Sequence, residues 1–155
     1  MRPQRRGAAI VMTDERRDEV LTQQRTCRLA TIGAGGHPHA SPLWFVWDGN
    51  AIWLNSLTRS QRWTDVQRDG RVSVLVDGGE SFGELYGIEL IGQAVPVGEA
   101  PRTGEPVDDL RTPELLFARK YMGSDDFYYD GRHAWLRVDP DKIVTWDFAN
   151  IPRPS

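Results

Sequence analysis

The stretch GHPHASPLWFVWDGNAIWLNSLTRSQRWTDVQRDGRVSVLV, residues 36–76, decides the fold of this chain. Two apolar segments rich in tryptophan flank the sequence Asp48-Gly49-Asn50. Asp-Gly and Gly-Asn are strong hairpin signals, because a type I′ turn needs positive φ at both central positions. The pattern therefore predicts a hairpin of two strands, residues 37–47 and 51–56.

A short helix is predicted directly after this hairpin. Thr58 and Gln61 have the spacing of a capping box, in which an N-cap hydroxyl is followed three residues later by a glutamine. The helix should run from Thr58 to about Asp69, and a strand over residues 71–77 should follow it.

Two arginines and three hydroxyls cluster around the start of this predicted helix. A helix N-terminus has free N–H groups and positive dipole character, and both favour a bound anion. Arg59 and Arg62 lie in the first turn, beside the hydroxyls of Ser56, Thr58 and Ser60. The cluster predicts a cradle for a phosphate or a carboxylate. The alternative is a pair of solvated surface arginines.

Apolar residues occur on both faces of the strand predicted over residues 37–47. Trp44 and Val46 point to one face, and Leu43 and Phe45 point to the other, because side chains alternate along a strand. Both faces should therefore be covered. A barrel interior would cover one face, and a ligand or a second copy of the chain would cover the other.

The rest of the chain alternates predicted strands with two further helices. They are, in order, a helix over residues 14–24, strands over 25–32 and 84–97, a helix over 112–122, and a closing hairpin of strands 133–138 and 142–148. This mostly antiparallel order predicts an α+β barrel and argues against a parallel sheet. No Gly-x-Gly-x-x-Gly motif follows a strand, which argues against a Rossmann site.

Composition narrows the function classes. A chain of 155 residues is expected to form one domain, here over residues 13–148, with a flexible arm over 1–12 and an irregular tail over 149–155. The net charge of −3 argues against nucleic-acid binding. The single cysteine, Cys27, fits a reducing cytoplasm. No apolar run reaches the length of a membrane span or of a signal-peptide core.

The sequence contains no convincing catalytic or metal-binding motif. His37 and His39 share one face of a strand, but a third ligand would have to come from a distant part of the chain. No Gly-x-Ser-x-Gly motif or Cys-His pairing indicates a nucleophile. We therefore expect no metal, assign no catalytic residue, and expect the chemistry to belong to a bound cofactor.

The order of the motifs resembles that of the flavin- and deazaflavin-binding split β-barrel family. These motifs are G-x-P-x-x-x-P-L-W-F, T-x-S-x-R and R-D-x-R-V-S-V-L-V, and the resemblance covers about residues 13–98. The family contains pyridoxamine 5′-phosphate oxidases and the F-420-dependent oxidoreductases of actinobacteria. The resemblance implies a mostly antiparallel split β-barrel of six to seven strands with two or three flanking helices. It also implies a homodimer that holds its cofactor near the interface.

Within this family, the resemblance is closer to the deazaflavin branch than to the oxidase branch. The oxidase branch holds the FMN phosphate with cations at positions that match Ser41 and Val46, which are neutral here. A later arginine–lysine pair of that branch matches Gln61 and Arg62, so one cation remains. An FMN phosphate would lose charge-assisted hydrogen bonds at such a site. The deazaflavin branch is matched by the sequence Pro-Leu-Trp-Phe at residues 42–45 and by the basic residue in the following helix.

The deazaflavin resemblance implies a set of cofactor-binding residues. Ser41, Pro42 and Leu43 would contact the ring, and the ribityl-phosphate part would be held by Asn55, Ser56, Thr58, Ser60, Gln61 and Arg62. Lys120 and Tyr121 match a Lys-Tyr pair of the family and would reach the site from either subunit. Alternatively, Lys120 is a cation that stabilises the C-terminus of an amphipathic helix.

The implied function is hydride transfer between coenzyme F-420, an 8-hydroxy-5-deazaflavin, and a small organic substrate that the sequence does not identify. Two alternatives stay open. One is an FMN-binding flavoprotein similar to pyridoxamine 5′-phosphate oxidase, and the other is a non-catalytic protein that binds F-420 or a flavin.

Overall fold

The computed structural model describes residues 1–4 and 7–152. Within these residues the strands are β1 (Thr26–Ile32), β2 (Pro38–Trp47), β3 (Ile52–Leu57), β4 (Arg71–Gly78), β5 (Tyr86–Val97) and β6 (His133–Asp147). They form a closed barrel in the order β1-β2-β3-β6-β5-β4, and every neighbouring pair is antiparallel. The predicted split β-barrel is confirmed.

Three α-helices flank the barrel in the described part of the chain. They are α1 (Asp14–Gln23), α2 (Gln61–Arg68) and α3 (Arg111–Phe117), and a π-helical turn (Ala118–Met122) continues α3. Thr13 caps α1 by accepting the N–H of Arg16. The π-helical turn ends at Gly123, which has a positive φ of 63°. None of the helices in residues 1–4 and 7–152 is long and apolar enough to cross a membrane.

The predicted cap of the helix after the hairpin is wrong. Ser60, not Thr58, is the N-cap of α2, and its Oγ accepts the N–H of Trp63 at 3.2 Å. Thr58 instead extends the pairing of β3 with the segment before β6, because its N–H donates to the Arg132 carbonyl at 3.0 Å. The chain therefore starts to coil only after Thr58. Gln61 becomes the first helical residue and cannot complete a capping box.

The predicted closing hairpin around residues 139–141 is also wrong. Residues His133–Asp147 form one strand, which pairs with β5 along its length and with β3 along its first part. A β-bulge absorbs the turn-like sequence: Gly92 of β5 pairs with Pro140, and Asp141 has no opposite residue. Proline cannot donate to a ladder, so it is tolerated at such a bulge. A Cβ at Gly92 would lie 2.4 Å from a backbone oxygen of β6, so the position requires glycine.

Apolar side chains pack in two separate clusters. The first fills the barrel and includes Leu29, Phe45, Leu54 and Leu90, together with Val20 and Leu21 of α1 and Trp63 and Val66 of α2. The second lies outside the barrel, where Leu110 and Phe117 cover Val46, Trp53 and Trp135. The outer face of β2 is thus covered at Val46, while Trp44 on the same face stays 47% exposed.

The described part of the predicted arm contacts β6. The Gln4 side chain donates to the Thr145 carbonyl and accepts the Thr145 N–H, and the N–H of Met12 donates to Thr145 Oγ1. Residues 5 and 6 of the predicted arm and residues 153–155 of the predicted tail lie outside the described residues.

Candidate functional site

Arg62 connects the start of α2 to two strands of the barrel. Its Nε donates to Ser56 Oγ at 2.9 Å, and its Nη1 donates to Ser41 Oγ at 3.3 Å. No carboxylate in residues 1–4 and 7–152 forms a salt bridge with this guanidinium. Burial lowers the pKa of Arg62, but an arginine remains charged at neutral pH. Its positive charge is held by neutral hydroxyls and is available to an anion.

Ser60 brings the helix N-terminus to the same place. Ser56 is fully buried, and its Oγ lies 3.4 Å from Ser60 Oγ. We call Ser41, Ser56, Ser60 and Arg62 the Arg62 cluster. It combines one cation with the positive end of α2, and both are groups that bind phosphate. The hydroxyls of Ser56 and Ser60 donate to the Leu57 carbonyl, so these two residues support the cluster.

Two predicted residues beside this cluster are bonded to other parts of the protein. The Thr58 hydroxyl donates to the Arg132 carbonyl at 3.3 Å. Gln61 donates to Asp65, a fully buried carboxylate that also accepts from Thr31 and Arg68. Burial would raise the pKa of Asp65, but these hydrogen bonds together lower it. Asp65 therefore stays ionised and fixes the first turn of α2 against the barrel.

A second group of positive charge lies next to the Arg62 cluster. Arg59 and Arg132 line a cavity of about 400 Å³ together with Leu57, Thr58, Pro101 and Gly131. Neither arginine forms a salt bridge with a carboxylate of the described chain. The start of α2 therefore borders a groove with two further uncompensated cations.

The hairpin places the other predicted residues on opposite faces. Leu43 is 7% exposed and packs in the barrel, whereas Pro42 is exposed on the outer face. Asn55 pairs with Trp135 of the outer cluster, so its side chain points away from the barrel and away from its neighbour Ser56. The structure brings Ser41, Ser56, Ser60 and Arg62 together, and it separates Pro42 and Asn55 from them.

Lys120 and Tyr121 provide the hydrogen bonds of β2 beyond Thr26, the first residue of β1. The last residue of β2 paired with β1 is Trp44. The next residue, Phe45, donates its N–H to Tyr121 Oη at 3.2 Å, and its carbonyl accepts from Lys120 Nζ at 3.2 Å. The Tyr121 ring also stacks on Trp44, with centroids 4.4 Å apart. Both side chains therefore attach the π-helical turn after α3 to the barrel.

Lys120 and Arg62 contact β2 at two separated points. Ser41 and Phe45 are four residues apart, which corresponds to roughly 13 Å along a strand. The two points of contact on β2 are therefore farther apart than the width of one phosphate group. Between them lies Cys27, which pairs with Leu43, and burial raises the pKa of its thiol to about 12 although both cations lower it. Cys27 is therefore a neutral thiol rather than a nucleophile.

The sequence did not reveal a cavity on the outer side of the barrel. Its volume is about 140 Å³, and it is lined by Trp44, Asn55, Arg102, Phe117, Met122, Phe127, Tyr128, Tyr129, Asp130 and His133. The only sequence signal for it is an asparagine in the apolar strand IWLNSL, on the face that carries Trp53. No group of three metal-ligating side chains occurs in the part of the chain that the structure describes.

Comparison with known proteins places this geometry in a family. Residues 12–147 match the family model of pyridoxamine 5′-phosphate oxidase. The structure of Rv2991 from Mycobacterium tuberculosis is similar, with 27% sequence identity and a TM-score of 0.79, over 98% of this chain and 96% of that one. No curated protein is significantly similar to the chain.

Two further structures share the fold at lower identity. An F420 reductase is 18% identical, with a TM-score of 0.57 over 82% of this chain and 94% of that one. A FAD-binding protein from Mesorhizobium loti is 16% identical, with a TM-score of 0.65 over 87% of this chain and 93% of that one. The family model covers most of the chain, and the barrel has the expected topology. The chain therefore belongs to the pyridoxamine 5′-phosphate oxidase family of split β-barrel proteins.

Proposed function

We propose that this protein binds coenzyme F-420 and serves as an oxidoreductase that transfers a hydride between F-420 and a small organic substrate. The observation that carries the proposal is Arg62, a partly buried arginine that is held by Ser41 and Ser56 and has no carboxylate partner in the described chain. Family membership and the likeness to an F420 reductase support it.

The charge of the Arg62 cluster favours F-420 over FMN. The phosphate of FMN is a monoester, which carries close to two negative charges at neutral pH. The phosphate of F-420 is a diester and carries one. The cluster supplies one cation, and Val46, which matches a cation of the oxidase branch, is buried under α3. FMN would therefore bring more negative charge to the cluster than its single arginine compensates.

The uncompensated arginines beside the cluster support the same assignment. F-420 carries an acidic glutamate tail, and FMN does not. Arg59 and Arg132 line the adjoining cavity next to Thr58. Charge-assisted hydrogen bonds from these side chains would hold carboxylates of the tail.

The protein's part in the reaction is binding and orientation. When bound, the deazaflavin supplies the hydride or accepts it. Arg62 would neutralise the phosphate, Ser41 and Ser56 would hold the Arg62 guanidinium in place, and Ser60 would hold the start of α2 beside it. Trp44, stacked on Tyr121, offers an aromatic surface on the outer face of β2. A homodimer would cover this surface, because Pro42 is exposed there and Trp44 is 47% exposed.

Replacement of Arg62 by methionine tests the proposal. A charge-assisted hydrogen bond is worth about 1.5–3 kcal/mol, so Arg62→Met should weaken F-420 binding about tenfold to a hundredfold in a fluorescence titration. Arg71→Met is the matched control, because Arg71 is exposed and pairs with Asp69. It removes the same charge and should bind F-420 like the parent. If both variants bind F-420 equally well, the Arg62 cluster is not the phosphate site.

A further inference from the structure

Asn55 carries a buried hydrogen-bond donor that no residue in the described part of the chain pairs with. The residue is 9% exposed, and its Nδ2 has no hydrogen-bond partner among the described residues. It lies opposite the fully buried Trp135 on the outer face of the sheet. An unpaired buried amide lowers stability, and such groups are uncommon in folded proteins. A donor in this state needs a partner from outside the chain, which is either a water molecule or a ligand.

The cavity beside Asn55 has the size of one small ring. Its volume is about 140 Å³, and its walls include Trp44, Phe117, Met122, Phe127 and Tyr128. An apolar protein cavity of about 150 Å³ is known to hold one benzene molecule. The aromatic walls favour a flat apolar ligand, since they offer ring faces and edges for contact.

The charged groups in the cavity wall are already paired. Arg102 binds Glu114 through two hydrogen bonds and also binds Glu99. His133 Nδ1 lies 2.5 Å from Asp130, and backbone N–H groups also donate to this carboxylate. Burial would raise the pKa of Asp130, but its hydrogen bonds lower it. The wall therefore offers no free cation to an anionic ligand, and it contains an ionised carboxylate.

Water alone satisfies Asn55 poorly. A buried water needs two to four polar partners, and most of the residues that line the cavity are aromatic or apolar. A water molecule with few hydrogen bonds is displaced with a gain in affinity. A ligand that carries an oxygen on a ring fits both the amide and the apolar walls. The oxygen accepts a hydrogen bond from Nδ2, and the ring fills the apolar space.

We propose that this cavity binds a neutral ring compound whose carbonyl oxygen accepts a hydrogen bond from Asn55 Nδ2. The site goes beyond the proposed function, because binding here needs no F-420. Ser56 of the Arg62 cluster points to the other side of β3, so the two sites are tested separately.

Three small molecules of the same size and shape test the site on the protein without cofactor. Acetophenone carries the carbonyl, α-methylstyrene has a CH₂ group in place of the oxygen, and benzoate carries a negative charge. Titrations of ¹⁵N-labelled protein, followed by NMR, give the three dissociation constants. Acetophenone should bind about tenfold more tightly than α-methylstyrene, with the Asn55 side-chain NH₂ signal shifting, and benzoate should bind more weakly than acetophenone.

Asn55→Leu links this preference to the amide. The variant should lose the preference for acetophenone, because the ketone oxygen no longer has a donor, and it should melt a few degrees higher, because the unpaired amide is gone. Asn150→Leu, which replaces an exposed asparagine, should keep the parent's preference.

Three results would overturn the proposal, and the first two need only the parent protein. They are no binding of acetophenone, equal binding of acetophenone and α-methylstyrene, and an Asn55→Leu variant that still prefers acetophenone.

Discussion

Removal of the Ser60 hydroxyl should destabilise the protein more than removal of the Thr58 hydroxyl. Ser60 Oγ accepts the N–H of Trp63 at 3.2 Å and donates to the Leu57 carbonyl at 2.8 Å. The Thr58 hydroxyl makes one bond of 3.3 Å, to a carbonyl that already accepts the Thr58 N–H. Ser60→Ala therefore loses a helix cap and a turn bond, whereas Thr58→Ala loses one weak bond.

The structure sets the size of the difference. Loss of an N-cap costs about 1 kcal/mol, and a neutral hydrogen bond contributes about 0.5–1.5 kcal/mol. Because Ser60 is only half-buried, we expect Ser60→Ala to lower the free energy of unfolding by about 1–2 kcal/mol. Thr58→Ala should lower it by less than about 0.5 kcal/mol. For a chain of this length, each kcal/mol corresponds to about 2–4 °C in melting temperature.

Urea denaturation of the parent and both variants measures these values, at one protein concentration and without cofactor so that binding does not contribute. The double variant gives the coupling between the two positions. A loss of stability in Thr58→Ala equal to or greater than that in Ser60→Ala would refute the reasoning. The helix would then begin at Thr58, and the hydroxyls of the Arg62 cluster would be arranged differently.

The remaining predictions concern Lys120 and the oligomeric state. Burial lowers the pKa of Lys120 from 10.5 to about 8, so between these values the unfolded chain binds more protons than the folded one. The free energy of unfolding should therefore rise with pH between about 8 and 10.5, and it should rise more steeply in the parent than in Lys120→Met. Denaturation at a series of pH values measures both slopes. Equal slopes would contradict the burial of the Lys120 side chain. The exposed side chains of Pro42 and Trp44 predict a twofold dimer. Sedimentation equilibrium at micromolar concentration should therefore give twice the chain mass of 17.6 kDa, and a monomer mass would refute the dimer.

The parts of the fold that depend on local chemistry could be predicted from the sequence. The apolar strands on either side of residues 48–51 form the predicted hairpin of β2 and β3, but the predicted type I′ turn is wrong. Gly49 has a positive φ of 96° and Asn50 does not, because Asp48 Oδ1 fixes the loop by accepting the N–H groups of Asn50 and Ala51. The helix cap could not be assigned, because Thr58 and Ser60 are both good N-caps. The bond from the Thr58 N–H to Arg132, 74 residues further along the chain, decides between them. Such a bond leaves no trace in the local sequence.

Long-range pairing also explains the error in β6. The sequence Asp139-Pro140-Asp141 has the composition of a turn, but β5 is long enough to pair with both sides of it. Gly92 leaves room for the bulge that keeps the strand continuous. A local turn signal was therefore overridden by a partner strand.

The positive charge of the candidate site could be predicted from the sequence, but the hydrogen-bond partners of its residues could not. The cation at Arg62 and its neighbouring hydroxyls are visible in the sequence, and the structure places Ser41 and Ser56 on its guanidinium. The bond of Lys120 to β2 depends on where β1 begins, and sequence patterns locate that boundary only within a few residues. Asn55 Nδ2 has no hydrogen-bond partner in residues 1–4 and 7–152, and only the packing of side chains around it determines this.

A side-by-side titration of the purified protein with F-420 and FMN tests the central claim most directly. Both cofactors are fluorescent, so one instrument gives both dissociation constants in the same buffer and at the same salt concentration. Arg62 is the single cation of its cluster, so F-420 should bind at least about tenfold more tightly than FMN, and Arg62→Met should reduce that preference. Binding of FMN that is as tight as that of F-420, or tighter, would contradict the account.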